Sequence, residues 1–96
     1  MSEEEKVTDF YARLKSQLEE NTVWPSLYLY KFIVPSDRLR IVKIEDTFTG
    51  LNAKINTRES SKGSFTSISI EVIMKNPNHV IEKYLEVSKV DGVISL

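Results

Sequence analysis

The stretch ESSKGSFTSISIEV, residues 59–72, reads as a turn followed by a strand. Gly63 accepts the positive φ of a tight connection, and Ser60 and Ser61 can satisfy backbone groups that a turn leaves open. From Thr66 the apolar positions alternate through Ile68, Ile70, Val72 and Met74, the period of a strand with one buried face. A weaker alternation through Ala53, Ile55 and Thr57 precedes the turn, over residues 53–59. The two runs are therefore expected to pair as a β-hairpin turned by Ser60, Ser61, Lys62 and Gly63.

Outward from the hairpin, the remaining segments divide cleanly. SLYLYKFIV, residues 26–34, is β-branched and aromatic with Pro35 closing it, and reads as the first strand. Residues 37–48 place Ile41, Ile44 and Phe48 on one helical stripe, with Ser36 as the expected cap and Gly50 as the stop. After the hairpin, Asn76-Pro77 is a cap followed by proline at the first helical position, with Val80, Ile81, Tyr84, Leu85 and Ser88 as the expected core stripe. Asp91-Gly92 ends that helix and VISL, residues 93–96, has strand composition. At the amino end, Ser2 and Glu5 form a capping-box pattern, and Val7, Phe10, Leu14 and Leu18 give a helix over residues 3–20.

The order after the first helix is strand-helix-strand-strand-helix-strand, which predicts an α+β, ferredoxin-like βαββαβ two-layer sandwich with a four-stranded antiparallel sheet. Residues 1–20 are an additional N-terminal helix, and residues 1–96 are read as one domain. If Tyr28, Tyr30, Phe32 and Val34 face the helices, Leu27, Leu29 and Ile33 face the other way, together with Phe65 and Ile73 of the hairpin strand. A two-layer sandwich needs only one apolar sheet face, so these five residues predict an interface. Two covers are available for it: a second copy of the chain, or the first helix lying across the face.

WPSLYLYKF at the first strand, SSKGSFTSISIEV at the hairpin and the closing VDGVISL together resemble the bacterial YbeD-like family, a domain of unknown function with an ACT-like fold. The resemblance spans most of residues 24–96, and its hairpin segment is the most specific part. It implies a fold and no established activity. ACT-like relatives often regulate metabolic enzymes by binding amino acids at subunit interfaces, with a glycine in the loop after the first strand. Here that loop reads Val34-Pro35-Ser36-Asp37, without the glycine, while the dimer expectation stands.

Composition sets outer bounds. Of the 96 residues, 41% are hydrophobic and 28% charged, an ordinary globular balance. The acidic opening Glu3-Glu4-Glu5 lacks the features of a secretory signal, so a cytoplasmic location is expected. The absence of cysteine excludes disulfides, thiolate nucleophiles and thiolate metal sites. A net charge of −1 gives no general attraction to nucleic acid or to an anionic membrane. An RNA-recognition reading of KGSFTSI finds Lys62, Gly63 and Phe65 in loose agreement, with Ser64 and Thr66 where aromatic rings belong. His79 is the single histidine and has no nucleophile-base-oxyanion arrangement around it in the sequence. Trp24, just before Pro25, is read as a plug for the sheet edge.

These readings predict no enzyme, no cofactor and no metal. The expected function is a regulatory or protein-interaction module of ACT-like type, acting as a homodimer or on a regulatory protein partner. The alternatives are a regulator that binds an amino-acid-like small molecule in an interface pocket and, behind it, RNA binding through the sheet face.

Overall fold

Alternation is the strongest local instruction in the chain, and the sheet follows it. The computed structural model describes residues 3–96, with α1 at Glu3–Asn21, β1 at Ser26–Pro35, α2 at Arg38–Thr47, β2 at Lys54–Glu59, β3 at Phe65–Met74, α3 at Pro77–Ser88 and β4 at Ile94–Ser95. The strands lie in the order β2-β3-β1-β4, all antiparallel. This is the ferredoxin-like arrangement, an α+β sandwich with an added N-terminal helix. The Ser2–Glu5 capping box and the side chain of Val7 lie outside the described residues.

The long β1–β3 ladder runs from Ser26 opposite Met74 to Pro35 opposite Phe65. Because side chains directly opposite share a face, this register puts Tyr30, Phe32 and Val34 of β1 beside Ile70, Ile68 and Thr66 of β3. All six are buried, as are Val72 and Met74. Ile44 and Phe48 of the α2 segment and Val80 and Val87 of α3 cover them from the helix side. Tyr30 is fully buried and donates its hydroxyl to the Val80 carbonyl at 2.9 Å, so its one polar group is satisfied inside the core.

Three local expectations change. The cap of α2 is Asp37 rather than Ser36: its carboxylate accepts from the Leu39 N–H, while the Ser36 hydroxyl pairs with Thr66 at 2.8 Å. That pairing satisfies Thr66, the one buried polar residue among the described residues. On α3 the innermost positions are Pro77, Val80 and Val87, whereas Leu85 and Ser88 are exposed. On α1 the residue turned inward is Tyr11, and Phe10 is 57% exposed.

The position of α1 decides which surface is left open. Tyr11 sets its ring 6.1 Å from that of Tyr84 on α3, Leu18 packs against the core, and Trp24 donates its indole N–H to the Leu18 carbonyl at 3.1 Å. The helix therefore lies in the helix layer beside α3. It does not lie across the opposite face of the sheet, so the first helix drops out as the competing cover. Trp24 seals the entry to β1 from the same layer, packed against the core.

Candidate functional site

The face of the sheet away from the helices is bare. Leu27, Leu29, Phe65 and Ile73 are 59%, 61%, 48% and 58% exposed, and Ile33 is half-buried. The register resolves them into two clusters. Leu27 stands opposite Ile73 with Leu29 next along β1, and at the other end Pro35 stands opposite Phe65 with Ile33 one alternation away. Between them runs a polar band, Lys31 opposite Ser69 with Glu71 next along β3, continued on β2 by Asn56 and Lys54. A shallow hollow of about 190 Å³, lined by Ile33, Arg58, Phe65 and Ser67 among others, marks the second cluster.

The same face extends to β4, where Ile94 pairs with Ile33 and is 53% exposed. Sequence reading placed VISL on a strand without assigning its inward and outward sides. Its alternation carries the missing signal, since Ile94 and Leu96 occupy one parity. Among the described residues, Phe65 is the single aromatic ring on the open face; Tyr28, Tyr30 and Phe32 all point to the helices.

The hairpin residues build a connection. Ser60 N–H donates to the Phe65 carbonyl at 2.8 Å, Gly63 N–H donates to the Ser60 carbonyl at 2.9 Å, and Phe65 N–H donates to Ser60 Oγ at 3.2 Å. Gly63 has φ +73°, a conformation strained for other residues. Lys62 and Ser61 project into solvent. Every hydrogen bond named for the motif is local, and Lys62 takes part in none of them.

His79 is likewise committed locally. Its backbone N–H donates to Asn76 Oδ1 at 2.8 Å, capping α3, and its ring Nδ1 accepts from the Lys75 N–H at 3.2 Å. Partial burial lowers its pKa, and the positive charges of Lys83 and Lys75 lower it further. A second cleft, about 290 Å³, lies where β1 leads into α2, lined by Asp37, Arg38, Glu45 and Glu59 and by the hydrogen-bonded Ser36 and Thr66. No group of three metal-ligating side chains occurs among the described residues. No helix among them is long and apolar enough to cross a membrane.

Residues 19–96 match a family model described as "Protein of unknown function (DUF493)". The chain belongs to this YbeD-like family. The DUF493 match takes in every strand and leaves most of α1 outside it. A relative described as "UPF0250 protein", from Haemophilus ducreyi, is 34% identical over 86 residues, covering 85% of this chain and 84% of its own length. No solved structure matches the chain.

Proposed function

We propose that this DUF493 chain is a non-catalytic, cytoplasmic protein-interaction module of ACT-like type, working in a regulatory role as a homodimer whose open sheet faces cover one another. The observation that carries this reading is the exposure of Leu27, Leu29, Phe65 and Ile73 on a face that no helix among the described residues covers. Clusters of exposed apolar side chains on one sheet face mark an interaction site in a folded protein.

The residue pattern favours a second copy. A two-fold axis parallel to the strands, between β1 and β3, lays Leu27 of one copy over Ile73 of the other. The same operation sets Lys31 of one copy over Ser69 of the other, with Glu71 the next residue along β3 on that face. An interface of this type is isologous and closes at two subunits. Burying the Leu27, Leu29 and Ile73 clusters of both copies would contribute roughly 6 kcal/mol at half exposure. Association costs about 4–15 kcal/mol of rigid-body freedom, so both ends of the face must engage.

Sedimentation velocity at micromolar concentration tests the proposal. The intact chain is expected to sediment as a dimer, and Leu29→Lys as a monomer with unchanged circular dichroism. A monomeric intact chain would overturn it.

A further inference from the structure

The open face carries more positive charge than it balances. By the strand register its charged residues are Lys31 on β1, Glu71 on β3, and Lys54 and Arg58 on β2, three cations against one carboxylate. Glu71 stands directly opposite Lys54, so the single carboxylate already has a cation for its neighbour. Among the described residues no carboxylate comes within ion-pair distance of Lys31. The residue opposite Lys31 is Ser69, half-buried, whose hydroxyl can donate.

The isologous pairing proposed above, on which this inference rests, concentrates that charge. Its axis runs between β1 and β3, and Lys31 and Ser69 straddle it near the middle of the ladder. Lys31 and Ser69 of one copy therefore meet Ser69 and Lys31 of the other. Packed sheets stand about 10 Å apart and neighbouring strands about 4.8 Å, so lysine side chains entering from opposite sheets bring their ammonium groups together at the axis. The Leu27, Leu29 and Ile73 cluster lies on one side of this position and the Ile33 and Phe65 cluster on the other. As both clusters close, the screening that water gives the two ammonium groups falls and their repulsion grows.

We propose that the paired faces enclose a tetrahedral dianion of the phosphate class on the two-fold axis, held by Lys31 and Ser69 of both copies. The two ammonium groups match its two charges, and the two hydroxyls donate to its remaining oxygens. A monovalent ion such as chloride leaves one ammonium unbalanced. Each copy supplies one ammonium and one hydroxyl, so a single chain holds half of the site and association completes it. Because only the dimer binds the anion in full, the anion favours the dimer by mass action. Free phosphate and the phosphoryl group of a small monoester share this chemistry. The competing role for Lys31 is to keep two copies apart by repulsion across an otherwise apolar face.

Sedimentation velocity in phosphate and in chloride, at equal ionic strength and at an alkaline pH where phosphate is a dianion, tests the proposal. The dimer dissociation constant of the intact chain is expected to fall by about tenfold in phosphate. Lys31→Met, checked for native circular dichroism, should dimerise equally in both salts and more tightly than the intact chain does in chloride. Arg58→Gln, away from the axis on β2, should keep the full phosphate response. Methyl phosphate separates the two sources: a response equal to that of phosphate supports the site as one for a phosphate monoester, and a response to phosphate alone supports it as one for the free ion. A dimer of equal strength in phosphate and chloride overturns the anion site and leaves the paired faces standing. A phosphate response that survives Lys31→Met places the anion elsewhere and also overturns the site. An intact chain that is monomeric in both salts overturns the pairing and the site together, and dimerisation of Lys31→Met in that case assigns Lys31 to keeping the copies apart.

Discussion

The hydroxyls of Tyr28 and Tyr84 lie 2.8 Å apart, joining the first strand to the last helix. Their rings meet edge to face with centroids 6.1 Å apart, and Tyr84 also sets an edge against Tyr30 at 4.8 Å. Burial raises the Tyr84 phenol above its ordinary pKa, with the hydrogen bond to Tyr28 adding to it. The Tyr84 phenol therefore remains neutral at physiological pH.

That pair predicts non-additive mutations. Tyr28→Phe and Tyr84→Phe should each cost about 1 kcal/mol in urea unfolding, because each leaves the other hydroxyl without its partner. The double substitution should cost clearly less than the sum. Additive losses would show that the two hydroxyls do not act together.

Glycines at two turns should respond differently. Gly63→Ala places a Cβ in open surroundings, 3.8 Å from the nearest atom, so the strain of φ +73° dominates and about 1 kcal/mol is expected. Gly92→Ala adds a clash to a similar φ, since its Cβ would stand 3.1 Å from Pro35 Cδ. It should therefore be the more damaging, while Lys62→Ala should be silent in thermal unfolding. Equal tolerance of all three would refute the turn assignment.

His79 predicts a pH dependence with a definite sign. Its folded pKa lies below the ordinary 6.5, so the unfolded chain takes up its proton first. The contribution is fully present above that ordinary value and is lost as pH falls from there through the folded pKa. Protonation also removes the acceptor for the Lys75 N–H. An NMR titration should place the imidazole below 6.5, and His79→Gln should flatten the fall in unfolding midpoint over that window. An upward-shifted imidazole would contradict this.

The sheet was legible because period-two alternation in Thr66, Ile68, Ile70, Val72 and Met74 has one reading, and all five side chains are buried. The docking of α1 was not. Phe10 and Tyr11 are adjacent aromatics about 100° apart on a helix, and either completes a stripe with Leu14 and Leu18. Tyr84, a partner distant in sequence, selects Tyr11. The cap of α2 was missed by one residue for a similar reason: Ser36 and Asp37 are both competent caps, and Thr66 draws the Ser36 hydroxyl away. The five open-face residues could be named from parity alone, but the polar band dividing them needed the β1–β3 register.

The central claim, that the open face is covered by a second copy, is tested most directly by isotope-filtered NOE spectroscopy on an equimolar mixture of labelled and unlabelled chain. The predicted result is a set of intermolecular contacts between the methyl groups of Leu27 or Leu29 and those of Ile73, absent in Leu29→Lys. Intermolecular contacts confined to other surfaces, or none at a concentration where the chain sediments as a single species, would contradict it.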